Sequence, residues 1–418
     1  MKLDSLYIQN FRALRDVTMT PEKKSMVIFG INGAGKSTIL RAINLAYTKI
    51  LNAVVDALDY AQKLDFVQDD ISYGEKYSSI ELTTDIDGDE LPFRVVYDGM
   101  AVPDSTLLKN IVLYYHGTYS NDIDGNLPIY IYYGINRNID EVPVEAQQSQ
   151  DPDRFRTYEH AIQSRAEFTG FFEWFREQED SENSEKVERD DLSYKDKSLT
   201  AVRQAIETAL DGCRHIRVER KPRLAMTVEK NGEKTYVSQM SDGEKDMLAV
   251  FGDIARRLSI ANPNLDNPLE GEGMVLIDEV ELHLHPSWQR QILKKLRKVF
   301  PNVQFIVTTH SPMVLSEISE DYCLYSISSA DDNSSVVEQV RSLDGFDVNR
   351  ILGSYMDTPD QSDRSAELRR ELGKAVMSHD RKAIEKHLKA LEKLSDENDI
   401  DVMRAKRSLL RMKKNEVH

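Results

Sequence analysis

The chain has 418 residues, of which 40% are hydrophobic and 30% are charged, a composition that excludes most disordered and fibrous classes of protein. Its 54 Lys and Arg against 71 Asp and Glu give a net charge of −17, which argues against a protein that coats nucleic acid with its whole surface. Residues 363–418 differ, because 15 basic and 11 acidic side chains give them a net charge of +4. This asymmetry predicts a separate C-terminal unit.

The two cysteines, Cys213 and Cys323, lie far apart in the chain, which favours a reducing compartment over a disulfide framework. The sequence lacks an apolar run of about 18 residues, the length of a membrane span. Its N-terminus is polar and does not resemble a signal peptide. We therefore expect a cytoplasmic protein without a membrane partner.

The N-terminal part of the chain alternates predicted strands with a predicted helix. A long helix is predicted over Lys36–Leu51, where apolar residues recur every three or four positions. The strands are predicted at Leu3–Ile8, Ser25–Phe29, Ser79–Asp85, Phe93–Tyr97 and Pro128–Tyr133, with a turn at Asp87 and Gly88 between the third and fourth. The last strand is almost continuously apolar, which is typical of a strand covered on both faces.

Between about Val142 and Val237 the sequence is polar and predicted to be helical, and past about Gly345 its apolar spacing predicts three short helices. We interpret the first region as a helical lobe inserted into an α/β core. The predicted domains are a core in two parts (1–141 and 238–344), a helical lobe (142–237) and a helical tail for oligomer or partner contacts (345–418).

The segment Gly30–Thr38 fits the phosphate-loop pattern, and it lies between a predicted strand and the long helix. Its glycines would let backbone N–H groups face phosphates, Lys36 would reach the β and γ phosphates, and the Ser37 hydroxyl would bind Mg²⁺. The sequence therefore predicts ATP and Mg²⁺ as ligands. The predicted nucleotide contacts are Asn32, Gly33, Ala34, Gly35, Lys36, Ser37 and Thr38.

A pair of acids, Asp278 and Glu279, ends the apolar run Met274–Ile277. A carboxylate at the end of a buried strand is costly unless it has a function such as holding a metal ion. A second carboxylate beside it can activate the attacking water. With the phosphate loop upstream, we assign Asp278 to Mg²⁺ and Glu279 to general-base catalysis.

Two further segments each have a functional and a structural interpretation. Ser241 and Gly243 precede a helix predicted to begin near Asp246, and they would form either an anion site or an ordinary N-cap. His310 follows a predicted strand, and it would either donate to the γ-phosphate and sense its loss or be structural.

Together these segments resemble the ABC-class ATPases, in the branch that contains RecF, SMC and SbcC-type proteins. The similar segments are Ile8–Arg12, Asn32–Thr38, Ser241–Glu244, Asp278–Pro286 and Thr308–Ser311. The resemblance implies an ABC-ATPase head, a P-loop NTPase sheet with antiparallel β hairpins. It also implies that Ser241 and Gly243 of one subunit complete the ATP site of another, so that a dimer sandwiches two ATPs, and that His310 is the switch histidine.

The same resemblance assigns roles to less distinctive parts of the sequence. Gln68 would be the glutamine-loop residue that contacts Mg²⁺, although an ordinary surface glutamine fits equally. Arg12 would approach the nucleotide, or else be a surface side chain. The segment Glu281–His285 would lie at the dimer seam, a role that explains its two histidines without a metal site.

Softer similarities are to the PtuA family of ATPases, from Septu and retron-associated defence systems. They cover Leu127–Arg137, Phe172–Asp180, Gly345–Leu352 and the helical tail. The lobe is also too short for the coiled-coil arm of SMC-type or SbcC-type relatives, since a helix rises only about 1.5 Å per residue.

This resemblance implies an ATP-hydrolysing sensor subunit of an anti-phage complex that forms a homodimer or higher homo-oligomer. Its implied partners are an HNH nuclease and, in retron systems, a reverse transcriptase with its DNA–RNA hybrid. The alternatives are a RecF-like repair clamp that binds duplex DNA without a nuclease, and an assembly protein whose ATP is structural.

Overall fold

The structure, a computed structural model, describes residues 1–55, 63–119, 125–135, 153–162, 168–330, 334–343, 346–355, 363–378, 380–392 and 399–415. The predicted boundaries at 141/142 and 344/345, and the ends of two PtuA-like segments at 136–137 and 345, lie outside these residues. The chain divides into two compact units, Met1–Phe346 and Asp347–His418. Within the described residues, no helix is long and apolar enough to cross a membrane.

The elements follow one another in a mixed order typical of an α/β protein. The strands are β1 (Lys2–Phe11), β2 (Leu14–Met19), β3 (Ser25–Phe29), β4 (Ser78–Ile86), β5 (Asp89–Tyr97), β6 (Ala101–Pro103), β7 (Ile129–Tyr133), β8 (Cys213–Glu219), β9 (Ala225–Lys230), β10 (Glu233–Tyr236), β11 (Gly273–Ile277), β12 (Val303–Thr309), β13 (Tyr322–Ser329) and β14 (Ser335–Val340). The helices are α1 (Lys36–Val55), α2 (Ser105–Tyr119), α3 (Phe168–Glu188), α4 (Lys197–Ala209), α5 (Asp242–Ala261), α6 (Pro286–Gln289), α7 (Ile292–Val299), α8 (Pro312–Leu315), α9 (Val348–Tyr355), α10 (Asp363–Met377), α11 (Arg381–Leu391) and α12 (Ile400–Asn415).

The centre of the first unit is a six-stranded sheet in the order β14-β13-β3-β12-β11-β7. Its strands are parallel except for β14, and β3, β11 and β12 are buried along their whole length. Ile277 pairs with Val307, and Thr309 pairs with Phe29. The carboxyl ends of β3, β12 and β11 therefore meet at one edge, which is where parallel α/β sheets place their ligands.

A second sheet, antiparallel and in the order β2-β1-β4-β5-β6, contains the predicted hairpin. The turn is made by Asp87 and Gly88, both with positive φ. The Gln304 side chain on β12 joins the two sheets, because its amide donates to the carbonyls of Leu3 and Lys24 at 2.9 and 2.8 Å and its oxygen accepts from the Leu3 N–H at 2.6 Å. The α/β fold class, with an antiparallel sheet beside the P-loop sheet, is confirmed.

The region predicted to be a helical lobe is a mixture of helices and strands. Helices α3 and α4 are followed by a three-stranded antiparallel sheet in the order β10-β9-β8. Strand β8 buries Cys213, Ile216 and Val218 and exposes the polar residues between them. An antiparallel sheet with one solvated face needs few apolar residues, which is why this segment looked too polar for a sheet.

A buried charge cluster ties α5 to β7. The Asp253 carboxylate accepts from the Tyr133 hydroxyl at 2.8 Å, from Arg256 at 2.7 Å and from Arg257 at 3.0 Å. Burial opposes ionisation, but Arg257 and Arg256 outweigh it and hold the pKa of Asp253 below its ordinary value. This carboxylate therefore stabilises the fold at pH values above the ordinary pKa of Asp, which applies to the unfolded chain. The stabilisation is lost as the pH falls through the lower pKa of the folded state.

We expect Asp253→Asn to lower the free energy of unfolding by about 3–5 kcal/mol, because two buried guanidiniums lose their counter-charge. Denaturant unfolding at neutral pH measures this loss, and the variant should also lose part of the acid dependence of stability. The control is Asp266→Asn, at an exposed position just after α5. Equal stability of the two variants would contradict the prediction.

The second unit contains the three predicted helices of the tail, α10, α11 and α12, preceded by α9. Leu372, Ile384, Leu391 and Val402 are buried in one cluster contributed by α10, α11 and α12. Arg369 binds Asp399 and Asp401 and so joins the start of α12 to α10. The prediction of three short helices is confirmed by α10, α11 and α12, and the structure adds that the three pack on one another.

Candidate functional site

The glycine-rich segment lies between β3 and α1, as a phosphate loop does. Gly30 has φ +151°, and a Cβ there would stand 2.1 Å from the Ile327 carbonyl oxygen, so no other residue fits without a shift. The Lys36 ammonium donates to the carbonyls of Gly30 and Ile31 at 2.8 and 2.9 Å, across the loop. Burial lowers the pKa of Lys36, and the carboxylates of Glu279, Glu281 and Asp278 oppose that effect.

The acidic pair follows β11 at the same edge. Asp278 continues the sheet, since its N–H donates to the Tyr133 carbonyl at 2.8 Å, and its side chain is buried. The Thr308 hydroxyl on β12 donates to the Asp278 carboxylate and accepts from the Glu279 N–H at 2.8 Å. Thr308 therefore holds both acids in place. The only indication of this role in the sequence is that Thr308 stands two residues before His310.

Glu279 and His310 face each other across the gap between two strand ends. Glu279 has φ +48°, which turns the chain sharply after Asp278. His310 Nδ1 lies 3.9 Å from Glu279 Oε1 and 3.1 Å from Glu281 Oε1. The structure thus brings Lys36, the acidic pair and His310, all predicted site residues, to one sheet edge.

The residues predicted to serve a second subunit form a separate cluster at the start of α5. The helix begins at Asp242 and not near Asp246, with Ser241 as its N-cap. The N–H and hydroxyl of Ser241 donate to the Glu244 carboxylate at 3.0 and 2.8 Å. A Cβ on Gly243 would stand 2.5 Å from the His283 carbonyl oxygen, so the helix start is pressed against the segment Glu281–His285.

Arg12 has a buried carboxylate partner, Asp70, that the sequence did not predict. Its Nε donates to Asp70 at 2.8 Å, and Arg41 on α1 donates to the same carboxylate at 2.8 Å. Burial opposes ionisation of Asp70, but these arginines and the Val67 N–H lower its pKa below the ordinary value. Gln68 is exposed at the start of the same 3-10 helix, Gln68–Asp70. The neighbouring Asp69-Asp70 pair was the available clue.

The two histidines of the segment Glu281–His285 have different partners. His283 Nδ1 lies 2.9 Å from Asp246 on α5, and His285 Nδ1 lies 2.9 Å from the Ser287 hydroxyl at the start of α6. Among the described residues, no group of three or more His, Cys, Asp or Glu is placed to hold a metal ion.

The residues at the sheet edge fit ATP and Mg²⁺. Ser37 stands in the first turn of α1 and Asp278 directly follows β11, and hydroxyl and carboxylate oxygens are ligands that Mg²⁺ takes. Gly33 has φ +81° and open space where a Cβ would be, so a phosphate can approach the main chain closely. The N-terminus of α1 would favour an anion at the same place.

Comparison with known families decides the identity of the chain. A family model described as "AAA ATPase domain" matches residues 1–212, just over half of the chain. The chain belongs to this AAA ATPase family. A second model, for an AAA domain, matches residues 123–316 of the ATPase, a range that contains Asp278, Glu279 and His310.

Two curated relatives extend this result. The retron Ec83 probable ATPase of Escherichia coli is 30% identical over 76% of this ATPase and 70% of its own length. The Septu protein PtuA of Bacillus mycoides is 32% identical over 30% of this ATPase and 18% of its own length. The predicted membership of a RecF/SMC-like branch related to PtuA is confirmed, and so is the predicted ATPase activity.

Among solved structures, the SMC head domain from Thermotoga maritima matches with a TM-score of 0.47 and 17% identity. The match covers 81% of this ATPase and 99% of that chain.

Proposed function

We propose that this ATPase is the regulatory subunit of an anti-phage defence complex, in which binding and hydrolysis of ATP control a partner nuclease of the HNH type. The observation that carries the ATP chemistry is the meeting of Lys36, Asp278, Glu279 and His310 at one edge of the parallel sheet. The similarity to a retron ATPase and to a Septu protein supports the defence role.

Each residue of the site has a chemical role in this proposal. Lys36 leaves the two carbonyls that it binds here and neutralises charge on the β and γ phosphates. Glu279 accepts a proton from the attacking water, and His310 donates to the γ-phosphate. Ser37 and Asp278 would hold Mg²⁺, which neutralises phosphate charge when it is bound. Gln68, although exposed, stays our candidate for the glutamine-loop contact.

The proposed switch is a head-to-tail homodimer, or a higher homo-oligomer built from it. Ser241 and Gly243 would face the ATP of a second subunit, completing its site through the N-terminus of α5. Because Gly243 leaves no room for a Cβ beside the His283 carbonyl, engagement of that ATP would be transmitted to the segment Glu281–His285. This segment is continuous with Glu279, so dimer contact and catalysis would be linked.

The unit Asp347–His418 is our candidate for contacts with the nuclease or with other copies of the chain. Its core is small and built from three short helices, and the residues from 363 onward carry a net charge of +4. A restricted basic surface on an acidic protein would suit a nucleic acid held by the complex, such as the DNA–RNA hybrid made by a retron reverse transcriptase.

The test begins with copurification of the tagged full-length chain from its native host, followed by identification of bound proteins and nucleic acid. We expect an HNH nuclease to copurify in stoichiometric amount. The nuclease activity of the complex is then measured without nucleotide, with ATP and with a non-hydrolysable analogue, and light scattering measures the oligomer in each state.

Nuclease activity that changes between these nucleotide states would support the proposal. The proposal would be contradicted if no nuclease copurified with the chain, or if the nuclease activity were the same with and without ATP. If the purified chain instead bound duplex DNA with a steep salt dependence and only with ATP, the RecF-like clamp would be the better account.

A further inference from the structure

Glu281 has no part in the proposed chemistry, yet its buried carboxylate, just after β11, contacts His310, which follows β12. The side chain is 4% exposed. Its Oε1 accepts from the main-chain N–H of His310 at 2.8 Å and lies 3.1 Å from Nδ1 of the same residue. One carboxylate oxygen thus contacts His310 twice, once at the main chain and once at the ring.

The ring contact decides where the imidazole carries its proton. An ionised carboxylate has only acceptor sites, so a hydrogen bond to Nδ1 requires the proton on Nδ1. In a neutral imidazole the other nitrogen, Nε2, then has a free lone pair, and in imidazolium it is a second donor. The contact also fixes the rotation of the ring about its χ angles, since Oε1 is itself held by the main-chain N–H.

The second carboxylate oxygen favours a functional over a purely structural role. Glu281 Oε2 is buried and has no hydrogen-bond partner among the residues that the structure describes. Leaving a buried acceptor without a hydrogen bond destabilises the folded protein. A residue needed only to anchor the loop would satisfy the His310 N–H as well with an uncharged acceptor, without burying an ionic group.

We propose that Glu281 is a positioning residue for ATP hydrolysis: its carboxylate keeps a proton of His310 on Nδ1 and orients the ring, and Nε2 donates to the γ-phosphate when the ring is imidazolium, with a proton on both nitrogens. The inference rests on the proposed role of His310. Glu281 acts through the histidine, whereas Glu279 acts on the water, so the two acids of this segment have distinct tasks.

A double-mutant cycle separates this role from loop anchoring. In H310A the main-chain N–H of residue 310 and its bond to Glu281 are retained, and only the ring is removed. If Glu281 acts through the ring, its mutation has no further effect once the ring is gone; if it anchors the loop, the effect persists.

The experiment measures ATP turnover by the full-length wild type, E281A, H310A and the double variant, with E320A as a control at an exposed position. We expect E281A to lower kcat about 10- to 100-fold with KM nearly unchanged, and the double variant to match H310A. E281Q keeps an acceptor oxygen for Nδ1–H but loses the negative charge, so its turnover should lie between that of E281A and that of the wild type.

An equal fall in kcat from E281A in both backgrounds, or no fall in either, would overturn the inference and leave the proposed function intact. Turnover by H310A equal to that of the wild type would instead show that the proposed role of His310 is wrong, and the inference would fail with it.

A measurement on the wild type does not depend on the folding of any variant. The protein is labelled at its histidine nitrogens and studied at a pH where the His310 ring is neutral. The chemical shifts of the two ring nitrogens then report the tautomer. We expect the proton on Nδ1. A wild-type ring with the proton on Nε2 would overturn the inference.

Discussion

Glu279→Gln is expected to lower the ATP turnover of this protein by about 100-fold or more while ATP still binds. General-base catalysis typically contributes about 10²–10⁴-fold, and the amide cannot accept the proton of the attacking water. The change is nearly isosteric, so the main-chain bond from residue 279 to the Thr308 hydroxyl should survive. Steady-state phosphate release measures turnover, and equilibrium titration with a fluorescent ATP analogue measures binding.

The matched control is Glu338→Gln, which removes an exposed carboxylate on β14, and it should leave both quantities unchanged. We also expect light scattering to detect a more persistent ATP-bound dimer in Glu279→Gln, because the nucleotide at the seam is no longer consumed. Unchanged turnover in Glu279→Gln would argue for a structural ATP and against the catalytic assignment.

Lys36→Met is expected to weaken ATP binding about 10- to 100-fold, since a hydrogen bond to a charged group contributes about 1.5–3 kcal/mol. In the structure the ammonium is buried and bonded to the carbonyls of Gly30 and Ile31. The methionine removes the cation but keeps an unbranched side chain. The same fluorescent titration measures the dissociation constant.

Lys49→Met serves as the control, because Lys49 lies on the same helix and pairs with the exposed Asp65. Its affinity for ATP should stay within about twofold of the wild type, as expected for loss of a surface ion pair. Retained affinity in Lys36→Met would contradict the assignment of Gly30–Thr38 as the phosphate loop.

Much of the candidate site could be predicted from the sequence because its residues stand at the ends of strongly apolar strands. The runs before Gly30, Asp278 and His310 are buried along their whole length, and such runs are visible without knowledge of their neighbours. Parallel strands then place their carboxyl ends at one edge, so three local patterns predicted one site.

The sequence did not predict the sheet β8–β10 or the correct start of α5, and the reasons differ. The sheet β8–β10 has one solvated face, so its strands carry too few apolar residues to stand out from a polar helix. The start of α5 was placed four residues late, although Ser241 and Glu244 have the spacing of a capping box, which is visible in a sequence and whose contacts are present in the structure.

The sequence by itself determined the phosphate loop, the acidic pair, the histidine and the ABC-class α/β core, since each depends on residue types at short and regular spacing. Only the tertiary structure decided how charged side chains pair. Asp70 meets Arg12 from 58 positions away and Arg41 from 29, and Glu281 meets His310 from 29. Pairing at such separations depends on how strands are ordered in the sheets, and no local periodicity carries that information.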